Sequence, residues 1–368
     1  MNGQEMNNRS RTWDVAVIGG GAAGLSAAVT LARSRRSVIV VDTGRPRNAP
    51  AAGVHNFLTR DGISATELTA VGRDELTSYG GTVISGSAVA AERTDIAFTV
   101  DLADGQKVSA RKLLVATGLA DTLPDIAGLR ERWGREVLHC PYCHGWEVRD
   151  QAIGVLGTGP GAVHQALMFR QFSEDVTLFL HTAPEPTEPQ WEALAARGVS
   201  VVDGHVTDVL VDNDRMSGVR LGSGDSRTLQ ALVVAPLFFA HCKVLESLGL
   251  KPREQRAGEA LLGAVFDADS SGATEVPGVW VAGNVTDMYA GVVNSAAAGF
   301  TAAAAINANL LDEDVRRGVG DRGAAAANSS SNQTAPTAPA AFSAAAEAEV
   351  CERVLGERRH GLFTEPKA

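Results

Sequence analysis

Two glycine-rich turns, each placed between a short apolar segment and a helix-like segment, constrain the fold of this chain more than any other feature. The first lies within residues 14–41 and the second within residues 152–180. Each copy has an apolar run, a glycine turn, a helical segment and a β-branched or apolar run in that order, which predicts a βαβ unit of a parallel sheet. Two such units in a chain of 368 residues predict two nucleotide-binding lobes.

Strand-like segments follow each unit, and an apolar strand with a small-residue helix near residues 279–310 indicates a return to the first lobe. We therefore predict an α/β fold with two Rossmann-like dinucleotide-binding domains, the second inserted into the first. The split first domain comprises residues 12–118 and 246–311, and the inserted domain comprises residues 119–245.

The C-terminal end differs in composition from the rest. From residue 312 the chain is rich in Ala, Ser, Pro, Asn and Gly, which bury too little apolar surface to order a segment. We predict a low-complexity, mostly disordered tail over residues 312–368, with a short helix within residues 342–362. Cys351 falls in this tail, and we give it no catalytic role.

The charge and the hydropathy of the chain limit the kinds of partner that we expect it to bind. Acidic residues number 43 against 33 basic ones, the net charge is −10, and no cluster of bases is present, so we expect neither nucleic acid nor an anionic membrane as a partner. Residues 1–11 lack the apolar stretch of a signal peptide, and no segment reaches the roughly 18 apolar residues of a membrane span. We predict a cytoplasmic protein acting on a small-molecule or protein thiol or disulfide.

The first glycine turn fits the dinucleotide-binding pattern G-x-G-x-x-G. Gly19, Gly21 and Gly24 supply the glycines, and Ala23 lies among the first helical residues, where backbone amides can approach a pyrophosphate. Asp42 ends the next strand, 23 residues after Gly19, where a carboxylate accepts hydrogen bonds from an adenosine ribose. The pattern fits FAD and NAD equally, but a second turn downstream predicts that one chain carries both a flavin and a nicotinamide site.

The second glycine turn fits the variant G-x-G-x-x-A. Gly157, Gly159 and Ala162 occupy the three defining positions, again after a strand and before a helix. The following strand ends at His181 and Thr182, which provide neither an acid for a ribose hydroxyl nor an arginine for a 2′-phosphate. A nicotinamide cofactor is predicted, and NADPH and NADH both remain open.

The segment around Cys140 and Cys143 carries the chemistry. Two thiols at positions i and i+3 can close a disulfide within one turn and exchange two electrons. The pair ends 14 residues before Gly157, inside the lobe predicted to bind a nicotinamide, which favours redox chemistry. His144 follows directly, and imidazole titrates in the range needed for a general acid or base.

Three other interpretations of the pair were weighed. A zinc site needs further ligands, for which Cys242, His139 and His144 are available, and a zinc or redox sensor without enzymatic activity is one alternative. The sequence C-x-x-C-H also matches covalent haem attachment, which belongs with export. Two buried structural thiols are the fourth possibility. We assign no metal site.

The order of these motifs resembles the low-molecular-weight thioredoxin reductases over about residues 14–309. The corresponding segments here are Gly19–Gly24, Ala116-Thr117-Gly118, Cys140–Cys143, Gly157–Ala162 and Gly283-Asn284. The resemblance implies FAD, a hydride from NADPH, a homodimer, Cys143 facing the flavin and Cys140 exchanging with substrate. It also implies that Thr117, Gly118, Gly283 and Asn284 contact the flavin cofactor.

One departure from that family opens a second direction of electron flow. His144 stands where thioredoxin reductases have Asp, and this C-x-x-C-H form is similar to the dithiol oxidases that make disulfides in natural products such as gliotoxin and holomycin. The phosphate clamp of the family is reduced to His181. We therefore predict an FAD-dependent disulfide oxidoreductase of thioredoxin reductase type, with dithiol oxidation by O2 as the alternative.

Overall fold

The computed structural model describes residues 11–330, and the chain divides after Leu310 into two compact units. Its helices are α1 (Ala22–Arg33), α2 (Ala65–Ser78), α3 (Pro141–His144), α4 (Ala162–Phe169), α5 (Glu188–Ala196), α6 (Lys243–Ser247) and α7 (Val292–Ser330), with 3-10 turns at Arg130–Arg132 and Gly283–Val285.

Nineteen strands are present in the described residues. They are β1 (Thr12–Ile18), β2 (Val38–Asp42), β3 (Thr82–Ser85), β4 (Ala88–Arg93), β5 (Phe98–Leu102), β6 (Lys107–Val115), β7 (Ala120–Thr122), β8 (Val137–Leu138), β9 (Ile153–Leu156), β10 (Val176–Phe179), β11 (Ser200–Val202), β12 (Val206–Asp212), β13 (Arg215–Leu221), β14 (Ser226–Thr228), β15 (Ala231–Val234), β16 (Leu237–Phe239), β17 (Arg253–Ala257), β18 (Ala260–Val265) and β19 (Val279–Val281).

The first sheet joins the two ends of the chain. Strands β3, β2, β1, β6 and β19 run parallel in that order, so the C-terminal strand β19 closes onto a sheet begun by the N-terminal strand β1. On the side of β6 away from β1, its first half pairs antiparallel with β5, and β5 pairs antiparallel with β4. Helix α1 covers one face through its small residues, and Gly299 of α7 lies so close to it that a Cβ there would collide with the backbone of Ala23.

The second sheet repeats the same plan in the middle of the chain. Strands β11, β10, β9, β15 and β8 are all parallel, and their residues are almost fully apolar, as expected for strands covered on both faces. The antiparallel strands β12, β13 and β14 cover one of those faces. Helix α4 covers the other, with Phe169 fully buried.

A small third sheet forms where the chain passes between the other two. Strand β7 leaves the first sheet and β16 returns from the second, and these two strands pair antiparallel with Ala120 opposite Phe239 and Thr122 opposite Leu237. Strands β18 and β17 extend this sheet. The segment 123–236 therefore enters and leaves through adjacent strands.

The predicted α/β class, with two Rossmann-like units and the second inserted into the first, is confirmed. The domain boundaries themselves stay predictions. The mostly disordered tail predicted from residue 312 also stays a prediction, and α7 continues into its first part as far as Ser330. Once packing has nucleated a helix, alanine-rich sequence extends it at little cost. The short helix predicted within residues 342–362, and Cys351, lie outside the described residues.

Candidate active site

The first glycine turn is built as the sequence pattern requires. The amide of Gly19 donates to the carbonyl oxygen of Val41 at 2.9 Å, and Gly19 has a φ of +104°, a value that only glycine adopts readily. The chain then turns so sharply that α1 begins at Ala22. The Asp42 carboxylate accepts a hydrogen bond from the amide of Gly20 at 2.9 Å, which fixes the carboxylate beside the turn.

The glycines of this turn differ in their surroundings, because some are packed against protein and others face open space. A Cβ on Gly19 would collide with the carbonyl oxygen of Ala116, and one on Gly24 with the carbonyl oxygen of Gly19. A Cβ on Gly21 would meet nothing within 4 Å. The turn therefore presents the backbone at Gly21 to an open cavity at a helix N-terminus, which suits the pyrophosphate of FAD.

The opposite wall of this cavity comes from the ends of β6 and β19. Thr117 and Gly118 follow β6, and Gly118 has a φ of +74°. Gly283 follows β19 with a φ of +79°. The Asn284 side-chain nitrogen donates to the backbone oxygens of Asp287 and Ala290, both at 2.9 Å, so its side-chain oxygen is the atom left to meet a ligand.

Cys140 and Cys143 form a disulfide, with their Cα atoms 5.2 Å apart. The pair opens the short helix α3, in which Pro141 occupies the first turn, where its missing N–H costs nothing. The amide of Cys143 donates to the sulfur of Cys140 at 3.2 Å. This contact places a partial positive charge against Cys140, which favours its thiolate when the bond is broken.

His144 is the unsatisfied polar group of the site. Both of its ring nitrogens are shielded from solvent, and neither makes a well-formed hydrogen bond among the described residues, although the backbone of Cys140 lies close enough to the ring to oppose the lowering of its pKa. Burial lowers the pKa of His144 below its ordinary value, with the Glu147 carboxylate opposing that shift. A neutral, unpaired imidazole next to a redox pair is able to accept a proton from a thiol.

A loop of the first lobe contacts the helix that carries the disulfide. The Asn56 side-chain nitrogen donates to the carbonyl oxygen of Tyr142 at 2.6 Å. His55 lies between two carboxylates, with Nδ1 at 3.2 Å from Asp61 and Nε2 at 3.4 Å from Glu147. These contacts were not predicted from the sequence, because the loop after β2 shows no periodic pattern that marks its residues.

His139 holds the other side of the redox segment. Its Nδ1 lies 3.2 Å from the carbonyl oxygen of Val234, and its ring meets that of Phe238 edge to face at 5.1 Å. Gln165 of α4 donates to the carbonyl oxygen of His139 at 3.1 Å. Burial lowers the pKa of His139. This histidine therefore anchors the segment before Cys140 to the second sheet.

The second glycine turn matches the first at its start and departs from it afterwards. The amide of Gly157 donates to the carbonyl oxygen of Phe179 at 2.8 Å, as Gly19 does to Val41. By this register the position that Asp42 holds in the first unit is filled by Leu180, a buried apolar residue.

The departures in the second turn concern its hydrogen-bond donors. Helix α4 begins at Ala162, five positions after Gly157, whereas α1 begins three positions after Gly19. Pro160 has no amide hydrogen, and the amide of Ala162 donates to the carbonyl oxygen of Gly159 at 3.2 Å. At these two positions the second turn therefore has no free amide to offer a ligand.

One cavity of about 1130 Å³ connects most of the predicted residues. Its lining includes, from the prediction, Gly19, Gly21, Ala23, Asp42, Thr117, Gly118, Cys140, Cys143, His144, Gly159, Ala162, Gly283 and Asn284. Gly24 and Gly157 are not among the lining residues, and both are packed against backbone instead. The disulfide and the two glycine turns therefore share one continuous space.

The described residues contain neither a metal-binding cluster nor a membrane-spanning helix. Within residues 11–330 no three His, Cys, Asp or Glu side chains lie together in a way that could hold a metal ion. Across the same described part of the chain, no helix has the combined length and apolar character that crossing a membrane requires.

Several known proteins are similar to this chain in sequence and in structure. Thioredoxin reductase sirT from Leptosphaeria maculans is 31% identical over 82% of this chain and 96% of its own length. The crystal structure of HlmI is 46% identical, covers 86% of this chain and 98% of that protein, and superposes with a TM-score of 0.78. An oxidoreductase from Agrobacterium tumefaciens is 34% identical, with 82% and 99% coverage and a TM-score of 0.76.

The pyridine nucleotide-disulphide oxidoreductase family matches residues 13–303, which is most of the described chain. The match spans both glycine turns and the cysteine pair. Membership implies FAD as cofactor with a nicotinamide dinucleotide as its redox partner. By its sheets, its redox pair and these relatives, this chain belongs to the pyridine nucleotide-disulphide oxidoreductase family.

Proposed function

We propose that the protein is an FAD-dependent thiol–disulfide oxidoreductase whose Cys140–Cys143 pair carries two electrons between the flavin and an external thiol or disulfide. One observation supports this above the others. The disulfide lies in the same cavity as the first glycine turn, so a flavin bound there shares its space with the redox pair. The cysteines, the turns and the cavity thus support a single redox centre.

The FAD assignment uses residues on both walls of the cavity. The turn Gly19–Gly24, with Gly21 and Ala23 at the mouth of α1, would hold the pyrophosphate, and Asp42 would accept the ribose hydroxyls. Thr117, Gly118, Gly283 and the side-chain oxygen of Asn284 would line the flavin end. When bound, FAD supplies the two-electron carrier that the protein side chains lack.

The cysteines take different roles in this proposal. A substrate thiolate attacks the sulfur of Cys140, the Cys140–Cys143 bond breaks, and Cys143 leaves as a thiolate. A second substrate thiol then attacks the mixed disulfide and releases Cys140, so the substrate loses two electrons and the pair gains them. Reversing these steps reduces an external disulfide. The amide contact to the Cys140 sulfur stabilises its thiolate in either direction.

His144 serves as the acid–base group. In the oxidising direction it accepts the proton of the attacking thiol, and in the reducing direction it returns a proton to the departing one. Its neutral state, maintained by burial, matches the first task at neutral pH.

Dithiol oxidation is a second candidate, favoured by a specific observation. In the second glycine turn Pro160 has no amide hydrogen and the amide of Ala162 is used within the turn, so neither can donate to a pyrophosphate. In that case a dithiol substrate reduces the pair and O2 accepts the electrons from the flavin. The relatives named thioredoxin reductase support the reducing direction instead.

The domain limits and the assembly belong to the same proposal. Residues 12–118 and 246–311 form the FAD-binding domain, and residues 119–245 form the nicotinamide-binding domain that carries the cysteine pair. The adjacent strands β7 and β16 support a boundary close to these limits. We infer a cytoplasmic homodimer acting on a small-molecule or protein thiol or disulfide.

Cysteine variants test the redox centre. Cys140→Ser and Cys143→Ser should each abolish dithiol or disulfide turnover while the protein stays yellow, because neither residue is needed to hold FAD. Cys242→Ala is the matched control, since Cys242 is buried outside the pair, and it should retain turnover. Turnover in both serine variants, or loss of FAD from them, would contradict the assigned centre.

An anaerobic titration separates the two directions. Bleaching of the flavin by NADH or NADPH supports nicotinamide-driven reduction. Bleaching by dithiothreitol alone, followed by recovery of the yellow colour when air is admitted, supports the dithiol oxidase. A purified protein without flavin absorbance would overturn both.

A further inference from the structure

A second, smaller cavity lies at the end of strand β10. It has a volume of about 250 Å³ and is bounded by the second glycine turn on one side and by the segment between β10 and α5 on the other. Gly159 and Pro160 contribute from the turn, and Leu180, Glu185 and Gln190 from the other side. In a βαβ unit this is the place where the adenosine ribose of a dinucleotide binds.

The residue that normally meets the ribose is missing from its usual position. The register of β9 and β10 places Leu180 where the first unit has Asp42, and Leu180 is buried and apolar. No carboxylate is therefore supplied by the strand end. Counting from the strand end alone, the sequence gives no recognition group at His181 or Thr182 either.

Glu185 supplies that carboxylate from the following segment. The amides of Thr182 and Ala183 both donate to the carbonyl oxygen of Gly157, at 2.9 and 3.0 Å, which ties this segment to the glycine turn. Two residues after Glu185, Thr187 caps the N-terminus of α5 in a capping box closed by Gln190. Glu185 is thus held between two fixed points at the mouth of the cavity.

The charge of the cavity is set by this one residue. Among the described residues that line it, Glu185 is the only ionisable side chain. Arg170, which follows α4, does not line the cavity, and its guanidinium donates to the carbonyl oxygens of Arg197 and Ser173. A carboxylate accepts hydrogen bonds from ribose hydroxyls and repels a phosphate, which needs Arg or Lys to be bound.

We propose that Glu185 makes the second nucleotide site selective for NADH over NADPH, by accepting hydrogen bonds from the free 2′-hydroxyl and repelling a 2′-phosphate. The inference rests on the proposed function in one respect, that the second glycine turn binds a nicotinamide dinucleotide. It adds the specificity and the residue that sets it.

The test uses the oxidised holoenzyme and calorimetric titration with NAD⁺ and NADP⁺, which differ only in the 2′-phosphate and require no hydride transfer. The wild type should bind NAD⁺ at least about tenfold more tightly, a difference of about 1.4 kcal/mol. Glu185→Gln should reduce that ratio by about fivefold or more, and Glu185→Arg should invert it. Glu188→Gln, an exposed acid at the start of α5 outside the cavity, is the control and should leave the ratio unchanged.

Equal affinities in the wild type, tighter NADP⁺ binding, or a ratio that Glu185→Gln leaves unaltered would each overturn the inference. So would the absence of binding by both dinucleotides. Bleaching of the flavin by dithiothreitol in the same preparation reports on the proposed thiol–disulfide chemistry independently, so failure of the specificity and failure of the redox centre are distinguishable.

Discussion

His144 is the residue whose surroundings say most about the chemistry. A polar ring shielded from solvent without a hydrogen-bond partner is costly to the folded state, and such costs concentrate at sites of function. Burial lowers the pKa of His144, so the ring is neutral at physiological pH and ready to take a proton. Its adjacency to Cys143 gives it a thiol to act on.

The pH dependence of turnover follows from this shift. In the dithiol-oxidising direction, turnover requires neutral His144 and is lost as the pH falls through the pKa of its ring, which lies below the ordinary value of about 6.5. We expect the acid limb of the kcat/KM profile below that pH. His144→Gln should remove this limb and slow turnover about a hundredfold, the usual range for a general base.

The exposed His205, outside the large cavity, provides the matched control for that profile. His205→Gln should keep both the rate and the acid limb of the wild type. A His144→Gln enzyme with an unaltered acid limb would show that another group titrates in the reaction.

Some of the site residues could be predicted from the sequence, and others could not. Cys140, Cys143 and His144 lie in one run, so their proximity needed no fold. Glu185 required the register of β9 with β10, because the carboxylate lies five residues beyond the position where the pattern places it. His55 required the tertiary contact to Glu147, which no local pattern encodes.

Among the helices, α7 is the one that packs against α1 on a face of the first sheet. Gly299 meets the backbone of α1 at Ala23, close to the turn at Gly21. The same helix runs on to Ser330 through sequence that composition alone assigns to a disordered tail. Helix length here depends on nucleation by packing, a property that a composition window does not record.

The contact between α7 and α1 is open to a paired test. Gly299→Ala places a Cβ against the backbone of Ala23, which cannot yield, so we expect a loss of about 1–3 kcal/mol in the free energy of unfolding and weaker FAD binding. Urea unfolding and the flavin content of the purified protein measure both effects.

Gly318→Ala makes the same substitution in the same helix where a Cβ meets nothing within 4 Å. It should be neutral or stabilise by up to about 1 kcal/mol, since Ala is the better helix former. Equal effects of the two substitutions would rule out the close helix contact as the cause.

For the whole molecule, the two-lobed architecture could be predicted from the repeated βαβ pattern, because each unit encodes its own strand, turn and helix. The antiparallel strands β12 to β14 and the third sheet depend on long-range pairing and were predicted only as strand-like runs. The cavity that joins both glycine turns to the disulfide arises from how the two sheets meet, and no single segment specifies that.

Global stability should depend on pH through the buried histidines. Burial lowers the pKa of both His139 and His144, so below about pH 6.5 the unfolded chain binds protons that the folded chain does not. Stability is therefore greatest above that pH and falls as the pH drops, by at most about 1.4 kcal/mol per pH unit for each histidine.

Urea unfolding midpoints between about pH 5.5 and 7.5, above the range where carboxylates titrate, measure this dependence. His139→Gln should flatten the slope of the unfolding midpoint against pH, because it removes one of the two buried rings whose pKa is lowered. A midpoint that does not change over this interval would contradict the buried neutral state of both rings.

The paired strands β7 and β16 have a consequence for how such a chain can be rebuilt. Because segment 123–236 starts and finishes at neighbouring points, with Thr122 opposite Leu237, its two cut sites are side by side. A foreign module with closely spaced ends can replace that segment without stretching the remaining sheet. The junction thus allows evolution or an engineer to exchange segment 123–236 for another module and to keep the first sheet intact.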